Sequence, residues 1–155
     1  MLTLTSPAFS EGAAIPSRFT CEGDNVNPPL QIEGVPAGVV SFSLLMDDPD
    51  IPESVKMNRG ITVFDHWVVF NIPADTIEIP ENSIPPGVEG MNSGGQGYTG
   101  PCPPDAQHRY FFKLYALDTM LELNKSATKA RVEEAMKGHI IEKAQLLGVY
   151  KKINP

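Results

Sequence analysis

Proline and glycine place the strongest constraint on how this chain can fold. The sequence has 15 Pro and 13 Gly, concentrated in its first two thirds. Proline interrupts helices and glycine favours turns, so these residues divide that region into segments of strand length. A series of short strands is therefore predicted for most of the chain.

The alternation of side chains that is typical of strands supports this prediction. It is clearest in two segments, whose same-side residues are Phe42, Leu44 and Met46 in the first and Trp67, Val69 and Asn71 in the second. A third segment, RYFFKLYALD, has apolar residues on both of its faces. Such a segment is expected to be a central strand that is covered on each side.

The composition changes at about Asn124, after which proline is absent until the last residue. Apolar residues then recur at helical spacing, at Val132, Ala135, Met136, His139 and Ile140. We expect Asn124 or Ser126 to cap this helix and Gly138 or a neighbour to interrupt it. A short strand should follow in KAQLLGVYKKI. The whole pattern predicts one domain over residues 1–155, a mostly β sandwich with a helix near the C-terminus.

Charge and composition exclude several functions. The net charge of -7, with only 12 Lys and Arg, argues against nucleic acid and anionic membrane surfaces as partners. No transmembrane segment or secretory leader is recognisable, so a cytoplasmic protein is expected. In that setting Cys21 and Cys102 should stay reduced, and a redox-sensitive bridge would require that the fold bring them together.

The segment DPDIP combines acids with rigid turns. Pro49 and Pro52 force the residues before them into extended geometry, which fixes the directions of Asp48 and Asp50. Such preorganisation favours a binding site. The alternative is an ordinary solvated loop, because Asp and Pro are common in turns.

Two further segments supply imidazoles. His66 enters an apolar strand, where a single histidine is more often a core residue than a functional one. In GYTGPCPPDAQHRYFFKLYALD, a Gly/Pro loop leads to His108 and Tyr110. These two residues are two positions apart on a predicted strand, so they should share a face.

These three segments together resemble the signature blocks of the phosphatidylethanolamine-binding protein (PEBP) family, which includes Raf kinase inhibitor protein. The chain is most similar to the short bacterial and archaeal members. FTCEGDNVNPPLQIEGVP and AMKGHIIEKAQLLGVYKK extend the resemblance over nearly the whole chain. The resemblance implies an antiparallel Greek-key β-sandwich with a small pocket that binds anions, phosphate groups or phospholipid head groups.

The resemblance also assigns residues to that pocket. Carried over by position, they are Asp48, Asp50, Pro52, His66, Gly100, Pro103, Pro104, His108 and Tyr110. Cys102 and Phe64 stand where animal members have Gly and Trp. The sequence ends with GVYKKINP, so we expect the protein to lack the C-terminal helix that closes the pocket in those members, which would leave a more open site.

The acids pose a chemical question, because carboxylates repel anions. One solution is that they raise the pKa of His66 or His108, so that a cationic imidazole, Tyr110 and backbone N–H groups meet the anion. The main hypothesis is therefore a non-catalytic protein that binds a small anion or phospho-ligand without a cofactor. Two alternatives are an inhibitor of a kinase or protease, and a metal-assisted phosphoester hydrolase that uses Asp48, Asp50, His66 and His108.

Four other polar residues receive structural interpretations. Arg109 should point away from His108 and form an ion pair or loop hydrogen bonds. Asp47 should alternate away from Asp48. Asp105 is expected only to shape a turn, and His139 to be a packing or surface residue of the helix.

Overall fold

The structure is a computed structural model that describes residues 1–154. Within that range the chain forms ten strands and two α-helices. In chain order these are β1 (Thr3–Thr5), β2 (Leu30–Glu33), β3 (Ser41–Asp48), α1 (Glu53–Arg59), β4 (Phe64–Pro73), β5 (Glu78–Ile79), β6 (Val88–Glu89), β7 (Met91–Asn92), β8 (Gly95–Gln96), β9 (His108–Leu117), α2 (Lys129–Met136) and β10 (Ile140–Tyr150). Neither helix reaches the length and hydrophobicity that a membrane crossing requires.

Two antiparallel sheets form the sandwich. The larger sheet has the order β10-β9-β3-β4-β6, and the smaller has the order β1-β2-β5. Strand β9 lies beside β3 although the chain visits β4 and the smaller sheet between them, so a long connection returns it to the sheet. The predicted mostly β sandwich of antiparallel sheets is confirmed, and the central position predicted for RYFFKLYALD is confirmed by β9.

The alternation in β3 and β4 has a physical basis, because the two faces of the large sheet bury against different partners. Phe42, Leu44 and Trp67 pack between the sheets, together with Leu30 and Ile32 of the smaller sheet. The opposite face packs against α2 and the segment before it, through Leu45, Val68, Phe70, Val132 and Met136. Each central strand is therefore apolar on both sides.

One residue breaks the predicted alternation. Asn71 adopts a left-handed backbone with φ of 56° at an irregularity in the β3–β4 pairing. Its side chain accepts from Leu121 N–H at 2.8 Å and donates to the Leu121 carbonyl at 2.9 Å. The prediction that Asn71 shares a face with Trp67 and Val69 is wrong, since Ile72 takes the place in the inter-sheet core.

The C-terminal helix is shorter than predicted. Thr128 caps it by accepting from Arg131 N–H, whereas Asn124 and Ser126 form a separate turn. The helix ends at Met136, since Gly138 adopts a left-handed conformation with φ of 80°, and β10 begins at Ile140. His139 is therefore an exposed residue of the connection, where its Nδ1 lies 2.8 Å from Asp118 Oδ1.

Candidate functional site

A cavity of about 240 Å³ opens where β3 and β9 meet the start of β4 and the Gly/Pro loop. Helix α1 forms one wall. The cavity is lined by Asp48, Ile51, Pro52, Val55, Phe64, His66, Thr99, Gly100, Cys102, Pro103, Pro104, His108 and Tyr110. Eight of the nine residues expected from the family resemblance are in this set, although their role in binding stays a prediction.

Asp50 is the ninth residue, and the cavity lining does not include it. Its carboxylate accepts from Arg109 three times, from the backbone N–H at 2.8 Å, from Nε at 2.9 Å and from Nη2 at 2.8 Å. The ion pair predicted for Arg109 is thus confirmed. The turn directs Asp48 and Asp50 to different partners, so a role of Asp50 in ligand binding stays a prediction.

The turn after β3 is built by proline. Asp48 Oδ1 accepts from the Asp50 N–H at 2.7 Å, which closes the turn. Pro52, in extended geometry, then starts α1, and Gly60 ends it in the left-handed conformation with φ of 64°. This short helix carries Val55 to the cavity wall.

The Gly/Pro loop is fastened to two other parts of the chain. Thr99 N–H donates to the His66 carbonyl at 2.9 Å, and Gly100 N–H donates to Asn25 Oδ1 at 2.9 Å. A Cβ atom at Gly100 would overlap the Asn25 side chain and the Phe19 carbonyl. Only glycine fits this approach of the loop to residues 19–25.

Cys21 and Cys102 form a disulfide across this contact, with their Cα atoms 5.4 Å apart. The expectation that both cysteines stay reduced is wrong for this structure. The N–H of Cys21 donates to the Pro101 carbonyl at 3.1 Å, so the backbone already holds the two segments together. Both cysteines are exposed, which leaves the bridge open to solvent.

His108 lies between two carboxylates. Its Nδ1 is 2.7 Å from Asp48 Oδ2 and its Nε2 is 2.7 Å from Asp105 Oδ1, while its side chain is only 2% exposed. Carboxylates can only accept, so the ring satisfies both by donating from both nitrogens. Burial alone would lower the pKa of His108, but the hydrogen bonds that its ring donates to Asp48 and Asp105 raise it above its ordinary value. The result is a cationic imidazole at the cavity.

Asp105 therefore does more than shape a turn, and the sequence analysis missed this contact. The clue was present, since Asp105 lies three residues before His108. A turn of that length can bring the two side chains together, but only the structure shows that it does. The His108 contact lowers the pKa of Asp105, which keeps this carboxylate ionised.

His66 differs from His108. Its Nδ1 lies 2.6 Å from the Thr99 carbonyl, which can only accept, so Nδ1 carries the proton. Burial lowers the pKa of this imidazole despite the nearby acids, and the neutral form is favoured. The hypothesis that carboxylates raise the histidine pKa thus holds for His108 and is wrong for His66, where desolvation dominates.

Tyr110 completes the polar lining. Its hydroxyl is buried and has no hydrogen-bond partner within residues 1–154. The ring packs edge-on against His66, with 5.3 Å between ring centroids, and stacks at 6.4 Å on His108. Burial, followed by the charge of Asp48, raises the pKa of Tyr110, so the hydroxyl stays protonated as a free donor.

A second charged cluster lies behind the site on the helix side of the sheet. Asp47 is buried there, 3.0 Å from Lys113 Nζ and 3.2 Å from Lys129 Nζ. Lys129 also reaches Asp65 at 2.9 Å. The prediction that Asp47 points away from Asp48 is confirmed. Among residues 1–154, no three His, Cys, Asp or Glu side chains converge in a way that could hold a metal ion.

Comparison with known proteins agrees with this fold. The model of the phosphatidylethanolamine-binding protein family matches residues 5–151. A UPF0098 protein of Methanothermobacter thermautotrophicus is 47% identical over 158 residues, which cover 97% of this chain and 99% of that protein. A UPF0098 protein of Chlamydia pneumoniae is 42% identical over 152 residues, with the same coverage of 97% and 99%.

Two crystal structures are also similar. A PEBP homologue from Chlamydia trachomatis has a TM-score of 0.92 and 43% identity, and the match covers 97% of each chain. YbcL of E. coli, described as a member of the mammalian PEBP family, has a TM-score of 0.86 and 31% identity, covering 97% of this chain and 98% of that one. The family match, the sequence identity and the shared fold together show that this chain belongs to the phosphatidylethanolamine-binding protein family.

Proposed function

We propose that the protein binds small phosphate-bearing ligands, either free phospho-compounds or the phosphate of a lipid head group, in the cavity beside His108. One observation carries the proposal. A buried cationic imidazole and the Tyr110 hydroxyl, which has no hydrogen-bond partner among residues 1–154, are present at the same small cavity. Both are hydrogen-bond donors, and a phosphate group offers several acceptor oxygens to such donors.

The other polar groups support this assignment. Asp48 lies behind His108, where it holds the Nδ1 proton and keeps the ring cationic. His66 is neutral, and because Nδ1 carries its proton, its Nε2 is an acceptor. An acceptor beside two donors suits a ligand that brings a proton of its own, such as the hydroxyl or ammonium group of a phosphate ester.

We further propose that binding occurs without catalysis. A mechanism that used the cysteine at the cavity as its nucleophile is unavailable, because the sulfur of Cys102 is held in the disulfide. The donors at the cavity, the His108 ring and the Tyr110 hydroxyl, are suited to holding an anion.

Calorimetric titration of the purified protein with phosphate and phosphoethanolamine at pH 6 tests the proposal. Saturable binding should be lost in His108→Gln and weakened in Tyr110→Phe. The matched control is His139→Gln, because His139 forms an exposed pair with Asp118 far from the cavity. Absence of binding in the unaltered protein, or equal losses in His108→Gln and His139→Gln, would contradict the proposal.

A further inference from the structure

The position that an anion needs at His108 is already occupied by a carboxylate. Both ring nitrogens are engaged, Nδ1 by Asp48 and Nε2 by Asp105, each at 2.7 Å. An imidazolium has only these two N–H donors. A ligand can therefore be bound by His108 only after one of the two carboxylates has left.

The two carboxylates are held very differently. The Asp48 side chain is 4% exposed, lies at the end of strand β3, and accepts a second hydrogen bond from the Asp50 N–H. Asp105 is 50% exposed, and it also accepts from the N–H of the next residue, Ala106, which is a local contact. Its neighbours Pro104, Ala106 and Gln107 are exposed as well. Asp105 is therefore the carboxylate that can swing away.

We propose that Asp105 is an internal competitor for the anion site, which sets both the affinity and the selectivity of the cavity by occupying His108 Nε2 until a ligand displaces it. The proposal rests on the proposed function, because it needs the anion to bind at His108. Asp105 acts on the ligand through His108 and is thus a positioning residue.

Selectivity follows from the chemistry of the exchange. A free carboxylate such as acetate would only replace one carboxylate with another, and Asp105 has the advantage of being attached to the chain. Phosphate carries up to two negative charges and four oxygens, so it can engage the Tyr110 hydroxyl as well as His108. The internal carboxylate thus makes the site favour phosphate-bearing ligands over simple carboxylates.

A purely supporting role for Asp105 predicts the opposite. If Asp105 served only to keep His108 charged, its removal would weaken anion binding. Asp48 remains in contact with Nδ1 in such a variant, however, and preserves one of the two raising influences on the His108 pKa. The two roles therefore differ in the sign of the change in affinity.

The experiment compares Asp105→Asn and Asp105→Ala with the unaltered protein in calorimetric titrations with inorganic phosphate and with acetate at pH 7. Asp75→Asn is the matched control, because Asp75 is exposed, follows β4 at the end opposite to Phe64, and changes the net charge equally. We expect phosphate to bind about tenfold more tightly in both Asp105 variants, since a competing charge is removed from the site. Acetate should bind measurably only in those variants.

The outcomes separate the two proposals. If the unaltered protein binds phosphate and the Asp105 variants bind it equally or more weakly, the internal competitor is wrong and the proposed function stands. If tighter binding appears equally in Asp75→Asn, net charge explains it and the competitor is again wrong. If neither the unaltered protein nor any variant binds phosphate, the proposed function fails and this inference fails with it.

Discussion

Two acidic sites lie back to back at the same end of the large sheet, and they balance their charge in different ways. Asp48 points into the cavity, where His108 is its partner at 2.7 Å. Asp47, the preceding residue, points to the opposite face, where Lys113 and Lys129 lie within 3.2 Å. Asp65 joins the second site through Lys129.

The difference separates a structural charge cluster from a candidate binding site. Burial alone would lower the pKa of Lys129, but Asp65 and Asp47 raise it above its ordinary value, so this cation is permanent near neutral pH. Two lysines and two carboxylates then satisfy one another. Histidine titrates near neutrality, and its ring presents donors on both sides when it is protonated. The same strand ends thus carry a cluster of permanent charges on one face of the sheet and, on the other, a candidate site whose charge depends on the protonation of His108.

The largest effect is expected when the cluster of permanent charges is broken. Lys129→Met should lower the free energy of unfolding by about 3 kcal/mol, because it leaves the buried carboxylate of Asp47 and the half-buried carboxylate of Asp65 short of a cation. Urea unfolding at pH 7 measures this change. Lys137→Met is the control, since Lys137 forms an exposed pair with Glu134. This variant should unfold at the same urea concentration as the unaltered protein. Equal midpoints for the two variants would show that the cluster contributes no stability.

The next largest effect separates Asp48 from Asp47 in ligand binding. Asp48→Asn should weaken phosphate binding at pH 7 by about tenfold, because the lost carboxylate no longer favours the cationic form of His108. Asp47→Asn removes the same charge one residue earlier and should leave the affinity within about twofold, since the sheet separates it from the cavity. Calorimetry on both variants measures the difference. A similar loss in both would mean that net charge, and not contact with His108, controls binding.

Much of the fold could be predicted because its signals are local. The alternation predicted for β3 and for β4 as far as Phe70 was correct, because each face of the sheet buries against its own partner. The left-handed Asn71 was not predictable, since it depends on hydrogen bonds to Leu121, 50 residues away. Gly138 correctly indicated that the helix ends nearby, and it ends at Met136. The start of β10 at Ile140 was not predicted, because it is set by pairing with β9.

The candidate site was predicted less evenly. Family resemblance and the two-residue spacing of His108 and Tyr110 located the cavity. The protonation of His66 was not predictable, because it depends on a contact with the Thr99 carbonyl, which lies 33 residues away in the sequence. Lys129 is 82 residues from Asp47 in sequence, and the disulfide joins residues 81 apart. Contacts between residues so far apart in sequence are created only when the chain folds, so the local pattern of residues does not indicate them.

A smaller effect is expected from pH, and it should appear only at the cavity. The pKa of His108 in the fold lies above its ordinary value of 6.5, so its stabilising contribution is complete below pH 6.5 and is lost as pH rises through the folded pKa. The His108 ring loses its positive charge over the same pH range. Sulfate, whose own charge is constant in this range, should therefore bind more weakly at pH 9 than at pH 6.

The two histidines give this pH prediction an internal check. His66 has a lowered pKa, so it disfavours the folded state only as pH falls below 6.5. Ring signals followed by NMR should show His108 titrating above the ordinary value and His66 below it. Sulfate affinity that is constant from pH 6 to 9, or a reversed order of the two titrations, would contradict the assignment of His108 as the cation.

The smallest effect concerns Asp50, which the sequence placed in the pocket and the structure pairs with Arg109. That ion pair is largely exposed, with the Arg109 side chain 54% accessible, so solvent and salt screen it. Asp50→Asn should therefore leave phosphate affinity within about twofold, in contrast to Asp48→Asn. Calorimetry on the two variants under the same conditions decides between them. A loss as large as that of Asp48→Asn would extend the site beyond the cavity lining and restore Asp50 to it, because the contact with Arg109 would then have to open when the ligand binds.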